Sequence, residues 1–398
     1  MHRALFPFCL TALLLTGCSN PYQQTKTSEK EQYASHSVSV IALSDAAKKS
    51  GSQFSVEDVR LLQSFLLTKP TAADLSGNPY DLDDNSVWNT VDLTLMLRAI
   101  LGDALSDDLP VVFMTKDISP EGLMNAYLAM GWEPQGKTAV KLSTGEPPAS
   151  NYLRPALIKD VVKHVNGTIV ECNTAYGGKR TETQMHYQVA KDHGFTEIAD
   201  VQILDENGSM SIPIQGGSVL KQDYVGKAFA DYDSYLVLSH FKGHAMAGYG
   251  GAIKNISIGL GSSEGKCYIH TGGKSRTSMW GGNQTAFTES MAEAGKGVCD
   301  YLDGGKKIAF VNVMNRLSVD CDCDGNPAEP EMADIGILSS LDPVALDQAC
   351  IDLVYEQKNG DGKSLVQRIE SKQGLHTLEH AAEIGLGSRE YQLVMLDE

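Results

Sequence analysis

The sequence is short of positive charge and of long apolar runs. It has 33 Lys and Arg against 50 Asp and Glu, which gives a net charge of −17 at pH 7. Binding of nucleic acid needs clustered Lys and Arg, so the composition argues against that function. After residue 15, no segment reaches the ~18 uninterrupted apolar residues that a transmembrane helix needs. The acidic balance is typical of a soluble, exported surface that tolerates cations.

Cysteine is scarce and irregularly spaced. Cys9 and Cys18 lie near the start of the sequence, and the other six are Cys172, Cys267, Cys299, Cys321, Cys323 and Cys350. This spacing shows no regular disulfide framework, and a bridge between Cys321 and Cys323 is expected to be strained because they are only two residues apart. Exported thiols often pair, whereas an anaerobic source would leave all six reduced, so the sequence leaves their pairing open.

The N-terminal residues have the features of a bacterial lipoprotein signal peptide. His2 and Arg3 precede an apolar run over residues 4–15, and Leu15-Thr-Gly-Cys18 matches a lipobox. We therefore expect residues 1–18 to be the signal and Cys18 to be lipidated. Residues 19–37 are polar and predict a flexible tether. The expected location is outside the cell, anchored to the membrane by the lipid on Cys18.

A twelve-residue loop beginning at residue 81 predicts a calcium site. Oxygen-bearing side chains stand at positions 1, 3, 5, 9 and 12 of this loop, which is the spacing by which an EF-hand-type loop surrounds Ca²⁺. These ligand candidates are Asp81, Asp83, Asn85, Asn89 and Asp92. An apolar helix follows directly. The alternative is a solvated acidic turn before that helix.

This loop and helix resemble the calcium repeat of dockerin modules. The resemblance covers residues 38–104, and the partner repeat that ends at Asp58 has almost no ligands before its last position. The resemblance therefore implies a small all-α module with one Ca²⁺ and a cohesin-like protein as its partner.

From residue 110 to residue 398, strand-like and helix-like segments alternate. Ser119-Pro120 and Asp342-Pro343 are N-terminal helix signals that each follow a strand-like or loop segment. This alternation predicts a three-layer α/β domain with a mostly parallel sheet. The ligand site of such a domain lies beyond the carboxyl ends of its strands.

One segment after a predicted strand carries two histidines, two lysines, an asparagine and several glycines. The imidazoles could bind a metal or move protons, and the glycines could offer free N–H groups to an anionic cofactor. The candidate catalytic residues are His240, Lys242, His244, Lys254 and Asn255, and the candidate cofactor-binding residues are Gly248, Gly250 and Gly251. The alternative is a tight glycine turn with surface histidines.

A Cys-x-Cys pair flanked by carboxylates supplies the metal candidates of this domain. Cys321 and Cys323 lie between Asp320, Asp322 and Asp324. Soft thiolates select zinc, copper or iron, so Cys321 and Cys323 joined by His240 and His244 predict a Zn²⁺ or Fe²⁺ site with the aspartates orienting the histidines. The alternative is an exposed acidic loop with incidental thiols. Residues 173–180, which hold two glycines, Lys179 and Arg180, form a second candidate anion loop.

Two motifs of this domain, SHFKGHAMAGYGGAIKN and CDCDGNPAEPEMADIGILSSLDPVALDQACIDLV, resemble the family called domain of unknown function 362. The resemblance covers about residues 111–398. Many members carry a ferredoxin-type cysteine run between these motifs. This chain has none, so the resemblance implies no ferredoxin-type cluster here.

These observations predict a lipid-anchored exported protein whose α/β domain binds a metal or an anionic small ligand and acts on it. Redox and hydrolytic chemistry both remain open. The alternative is a non-enzymatic surface assembly protein that works through the dockerin-like module.

Overall fold

The computed structural model describes residues 39–68, 80, 82, 90–357 and 360–397, and all of them belong to one compact unit. Its strands in chain order are β1 (Ser39–Ala42), β2 (Val111–Thr115), β3 (Thr138–Lys141), β4 (Thr168–Glu171), β5 (Val201–Ile203), β6 (Ser209–Pro213), β7 (Gln222–Gly226), β8 (Ser234–His240), β9 (Lys242–His244), β10 (Gly248–Gly250), β11 (Ile308–Met314), β12 (Gly336–Ser340) and β13 (Gln392–Met395).

Twelve α-helices are found among the same residues. They are α1 (Leu43–Ser50), α2 (Val56–Thr68), α3 (Thr90–Leu101), α4 (Pro120–Ala129), α5 (Pro155–His164), α6 (Thr183–Asp192), α7 (Ala252–Ser257), α8 (Ser263–His270), α9 (Gln284–Tyr301), α10 (Pro343–Tyr355), α11 (Lys363–Ser371) and α12 (Gly374–Glu383). No helix in the described part of the chain has the length and apolarity needed to cross a membrane.

Nine of the described strands form one sheet in the order β1-β13-β2-β12-β11-β8-β3-β4-β5. All neighbouring pairs are parallel except those of β12, which runs antiparallel to both β2 and β11. The predicted α/β fold with a mostly parallel sheet is therefore confirmed. Because β11, β8, β3 and β4 are parallel neighbours, their carboxyl ends and the loops that follow lie at one edge of the sheet.

Helices cover both faces of this sheet. Ala309, Val311 and Val313 of β11 belong to an apolar core that also includes residues of α1–α5. Asn312 lies between them in the strand and points to the opposite face, where its Nδ2 donates to Asp347 of α10 at 2.7 Å. The alternation of side chains along β11 thus gives each helical layer its own set of contacts.

Local signals in the sequence start two of the helices that flank the sheet. Ser119 accepts a hydrogen bond from the backbone N–H of Gly122 at 3.0 Å, and Pro120 opens α4. Asp342 accepts from the N–H groups of Val344 and Ala345 at 2.8 and 2.9 Å before α10. Both caps satisfy N–H groups that the first turn leaves without a partner, so these helices begin where the sequence predicts.

The region of residues 39–104 shares its core with the α/β domain. Strand β1 pairs in parallel with β13, from Ser39 opposite Gln392 to Ala42 opposite Met395. Helices α1–α3 contribute buried leucines to the core that α4 and α5 also enter. The sequence predicts an all-α region here and misses β1, because four residues of strand acquire their partner only from the far end of the sequence. A capping box opens α2: the Ser55 N–H donates to Asp58 Oδ2 at 2.6 Å, and the Asp58 N–H donates to the Ser55 hydroxyl oxygen at 3.3 Å.

Candidate functional site

A cavity of about 480 Å³ lies where β3, β4 and β8 end. Its walls come from those strand ends, the β9–β10 hairpin, α7, α8 and the loop after β11. Its lining residues with ionisable, amide or cysteine side chains are Lys141, Glu171, Cys172, Tyr176, Arg180, His240, Lys242, His244, Lys254, Asn255, Lys266, His270, Cys321, Asp322 and Cys323. The cavity thus occupies the position at which a parallel α/β sheet gathers its ligand-binding loops.

His240, at the end of β8, has both ring nitrogens engaged. Its Nδ1 lies 2.8 Å from Asp322 Oδ1, and its Nε2 lies 2.6 Å from the carbonyl oxygen of Asn315. Each ring nitrogen is therefore directed at an oxygen atom of the protein. The described residues that could hold a metal are His244, Cys321 and Cys323, without His240. The predicted set of four metal ligands is therefore not formed, and His240 is the member that drops out.

Asp322 links His240 to Lys242. The Lys242 Nζ donates to Asp322 Oδ2 at 2.7 Å, and both side chains are buried. Burial opposes ionisation of Asp322, but Lys242 and His240 together hold the pKa of this carboxyl below its usual value. Asp322 therefore orients a histidine, as the sequence predicts for the aspartates of this loop. It also neutralises the charge of Lys242.

His244, Cys321 and Cys323 form the group that could hold a metal ion. One potential ligand atom from each lies within 4.8 Å of the others. Cys321 and Cys323 are joined by a disulfide in this structure, although their spacing argues against a bridge, so a metal would require the reduced thiols. The remaining described cysteines, Cys172, Cys267, Cys299 and Cys350, are free and buried.

The hydrogen bonds of His244 determine where its ring proton lies. Its Nδ1 accepts from the backbone N–H groups of Met246 and Ala247, at 3.2 and 2.9 Å. Burial, aided by the charge of Lys254, holds the pKa of His244 well below its ordinary value, so the ring is neutral. A neutral ring that accepts at Nδ1 carries its proton on Nε2.

A charged network on the β3–β4 side of the cavity was missed by the sequence analysis. Glu171 Oε2 lies 3.5 Å from the Lys141 Nζ, and Glu171 Oε1 lies 3.2 Å from an Arg180 nitrogen. Burial opposes the charge on Glu171, yet Lys141 and Arg180 hold its pKa well below the usual value. The available signal was the placement of Lys141 and Glu171 at the carboxyl ends of two otherwise apolar strands.

Asn255, a predicted catalytic residue, supports this network. Its Oδ1 accepts from Lys141 Nζ at 3.0 Å, and its Nδ2 donates to the Ser239 hydroxyl at 3.0 Å. The amide thereby ties α7 to β3 and β8, and it positions Lys141 at the cavity wall.

Lys254 and Lys266 are the cavity cations that no carboxylate neutralises within the described part of the chain. Lys266 is buried and donates to the carbonyl oxygen of Gly261 at 2.5 Å. The side chain of Lys254 is only partly buried, and its Nζ has no hydrogen-bond or ion-pair partner among the described residues. Burial, with Lys242 and Lys141 nearby, lowers the pKa of Lys254 to about 7. The sequence predicts a role for Lys254 but not for Lys266.

The predicted glycine anion site receives a carboxylate of the protein itself. Asp347 of α10 accepts from the N–H groups of Ala252 and Ile253, at 2.7 and 3.0 Å. Gly251 leaves room for this carboxylate, because a Cβ there would lie 2.2 Å from Asp347 Oδ1. Asp347 therefore occupies the N–H groups at the start of α7, directly after the predicted glycines.

The other two glycines of this segment have different roles. Gly248 has a φ of +83° and does not line the cavity, and a Cβ there would lie 3.0 Å from the carbonyl oxygen of Ile369. Gly250 does line the cavity, between the stems of two lysines. The segment is thus a β-hairpin packed on α11, with Gly250 and Gly251 facing the site.

The second predicted anion loop, residues 173–180, is occupied in the same way. Glu146 accepts from the backbone N–H of Lys179 and from Arg180 Nε, the latter at 3.1 Å. A Cβ at Gly178 would lie 2.7 Å from the same carboxylate. This loop therefore binds a carboxylate from the chain.

Most of the predicted calcium ligands lie outside the described residues, namely Asp81, Asp83, Asn85 and Asn89, as does the predicted lipidation site, Cys18. The fifth ligand candidate, Asp92, is buried in α3, and its Oδ1 accepts from the backbone N–H of Leu82 at 2.7 Å.

The fold and cavity define an α/β protein with a cation-rich, ligand-sized site. The sequence model of a family described as domain of unknown function (DUF362) matches residues 138–352, more than half of the chain. The chain therefore belongs to this family, and the resemblance found in its two motifs is confirmed.

No curated protein matches the chain. Among solved structures, it is similar to the lactate racemase apoprotein from Thermoanaerobacterium thermosaccharolyticum, with 14% identity and a TM-score of 0.37. That similarity covers 63% of this chain and 59% of the racemase, which is less than two thirds of the racemase's length.

Proposed function

We propose that the α/β domain is an enzyme that binds a small anionic molecule in the cavity and acts on it. One observation carries this proposal: the cavity holds more positive than negative charge. Five lysine and arginine side chains line it, against two carboxylates, Glu171 and Asp322. A carboxylate or phosphate group would offset this surplus, which is otherwise costly in a partly buried site.

Lys266 is the best candidate for direct contact with the anion. Its charge is held by a neutral carbonyl oxygen only, so two of its three N–H groups are available to a ligand. Arg180 and Lys242 contribute less, because Glu146, Glu171 and Asp322 already neutralise them. The volume of about 480 Å³ suits a small molecule.

Calorimetry on the full chain with inorganic phosphate and with small mono- and dicarboxylates tests this proposal. We expect Lys266→Gln to weaken binding at least tenfold, which corresponds to about 1.4 kcal/mol. The matched control is Lys306→Gln, which removes an exposed lysine at the opposite edge of the sheet, before β11. Equal affinity in both variants, or no binding of any anion, would contradict the proposal.

A metal in the same cavity is a second candidate, favoured by the proximity of His244, Cys321 and Cys323. Thiolates and imidazole suit Zn²⁺ or Fe²⁺, which would supply Lewis-acid or redox chemistry. Binding at Nε2 would release the ring proton, and binding at Nδ1 would displace two backbone N–H groups. Reduced protein should therefore bind Zn²⁺ with release of protons, and more tightly at higher pH.

Metal analysis of reduced protein separates this candidate from the anion site. We expect a Cys321→Ser, Cys323→Ser double variant to lose the metal. Cys299→Ser, which alters a free buried cysteine of α9, should retain it. Equal metal content in both would exclude a site at these residues.

Two sequence-based expectations stand as proposals beside this function. Cys18→Ala should abolish membrane partition if Cys18 is lipidated. If the loop at residues 81–92 binds Ca²⁺, a hundredfold excess over the dissociation constant should raise the free energy of unfolding of the full chain by ~2.7 kcal/mol and so raise its melting temperature. An unchanged partition, or an unchanged melting temperature, would refute the respective proposal. Docking of a cohesin-like partner depends on the second of these.

A further inference from the structure

Lys254 differs from every other lysine that lines the cavity. Lys141, Lys242 and Lys266 each donate to an oxygen at 2.7 Å or less. The Nζ of Lys254 has no partner among the residues that the structure describes, and its side chain is accessible from the cavity. Among the lysines that line the cavity, Lys254 is therefore the one whose amine makes no hydrogen bond to a described residue.

Neighbouring cations surround this amine. A Cβ added at Gly250 would lie 3.4 Å from Lys254 Cδ and 3.7 Å from Lys242 Cε, so the side chains of both lysines pass beside this glycine. Burial disfavours charge on Lys254 most, and Lys242, Lys141 and Lys266 add to this, while Asp322 opposes it. The resulting pKa of about 7 leaves a substantial share of the amine neutral at neutral pH.

A neutral lysine amine with a free lone pair is a nucleophile for carbonyl carbon. We propose that Lys254 forms an imine with a 2-oxo acid bound in the cavity. This inference rests on the anion site proposed above and names the chemical class of its ligand. Lys266 would hold the carboxylate, and the adjacent carbonyl would then face the amine of α7.

The reaction balances without a further reagent. The Lys254 nitrogen attacks the carbonyl carbon, a C–N bond forms, and the carbonyl oxygen takes a proton to give a carbinolamine. The oxygen then leaves as water, which carries away the two hydrogens of the original amine, and a C=N bond remains. The imine draws electrons from the neighbouring carbon atoms, so the site would activate a bond at the carbon on either side of the former carbonyl.

Borohydride trapping on the full chain tests the imine. The protein is incubated with sodium borohydride and, in separate samples, pyruvate, 2-oxobutyrate or 2-oxoglutarate, and the adduct is located by intact mass and peptide mapping. We expect one adduct per chain with at least one of these acids, on Lys254. Lys254→Arg and Lys254→Met should each reduce it at least tenfold, while Lys306→Arg should leave it unchanged.

Two further arms define the ligand class. Propionaldehyde, which has the carbonyl but no carboxylate, should give at least tenfold less adduct at equal concentration, and Lys266→Gln should reduce trapping of the 2-oxo acid. Equal trapping of propionaldehyde would overturn the assignment of a 2-oxo acid. Adduct that persists in both Lys254 variants, or no adduct with any of the three acids, would overturn the role of Lys254.

Failure of this inference can be told apart from failure of the anion site. Propionate and glutarate lack the carbonyl, so their binding in calorimetry reports on the anion site alone. If they bind and Lys266→Gln weakens them while no adduct forms, the anion site stands and the imine is refuted. If nothing binds and no adduct forms, both are refuted.

Discussion

Two glycine-rich segments of this protein, residues 173–180 after β4 and residues 240–255 after β8, look alike in sequence but differ in their charge balance. In both, backbone N–H groups bind a carboxylate of the chain itself, Glu146 in the first and Asp347 in the second. In the first segment Arg180 is also neutralised, by Glu146 and Glu171. In the second segment, the side-chain amine of Lys254 has no hydrogen-bond or ion-pair partner among the described residues.

This difference separates a structural role from a ligand-binding role. Glycines followed by basic residues predict an anion site, but they do not tell whether the anion is a ligand or a carboxylate of the chain. The charge that no residue of the chain neutralises says more about ligand binding than the glycine pattern does. By this measure the segment after β4 holds the cavity wall together, and the segment after β8 offers a reactive group.

Substitution of Glu171 should have the largest effect on stability. In Glu171→Gln, Lys141 and Arg180 lose a shared buried carboxylate, and we expect a loss of about 3–5 kcal/mol in the free energy of unfolding. The folded-state pKa of Glu171 is lowered, so its contribution is present above about pH 4.5 and is lost as pH falls below that value. Denaturant unfolding at pH 7 and pH 3 measures both effects.

The control for this prediction is Glu197→Gln, which alters an exposed glutamate with no side-chain hydrogen bond in the described structure and should change stability by less than ~0.5 kcal/mol. If Glu171→Gln lowered the free energy of unfolding by no more than this control, the charged residues after β4 would not stabilise one another. The contrast between the two glycine-rich segments would then be wrong.

Substitution of Asp347 should have a smaller effect that depends on pH. Asp347→Asn places an amide N–H₂ group beside backbone donors of α7, which costs about 1–3 kcal/mol. Burial raises the folded-state pKa of Asp347 to about 6, so the wild-type protein loses part of this residue's contribution as pH rises from about 4 through 6. The asparagine does not titrate, and the penalty should therefore be larger at pH 5 than at pH 8.

Thermal unfolding of the wild type and Asp347→Asn across this pH range gives the difference directly. A penalty that stays the same between pH 5 and pH 8 would mean that Asp347 is charged throughout, and that the two segments bind their internal carboxylates in the same ionised state.

Substitution of Lys254 should have the smallest effect on stability, and any effect should be stabilising. Lys254→Met removes an amine without a partner and keeps most of the apolar stem, so we expect the free energy of unfolding at pH 7 to stay within ~0.5 kcal/mol or to rise. Denaturant unfolding without added ligand measures it. A loss of more than about 2 kcal/mol would show that Lys254, like Arg180, is part of the structural network.

The sequence predicts the fold better than it predicts the site. Ser119-Pro120 and Asp342-Pro343 act within one helical turn, so their effect can be foreseen from neighbouring residues. The contact between Lys141 and Glu171 depends instead on β3 and β4 being neighbours, with Lys141 opposite Val170. The loss of His240 as a metal ligand depends on a backbone carbonyl, that of Asn315, which no side-chain pattern shows.

The same reasoning explains why β12 is hard to predict from the sequence. Its sequence, Gly-Ile-Leu-Ser-Ser, is short, and it is stabilised by partners on both sides, β2 and β11, that come from distant parts of the chain. Such a strand has little local preference of its own, and its antiparallel direction follows only from the order of the finished sheet.

The pairing of β1 with β13 bears on how the protein folds. β1 is the first of the described strands, and its partner in the described sheet is β13, more than three hundred residues later; β13 in turn lies between β1 and β2. The edge of the sheet therefore stays unfinished until β13 has been synthesised. Contacts of such long range slow folding and leave strand edges open to other chains. A chain that ends before Gln392 should accordingly expose both β1 and β2, and aggregate rather than fold.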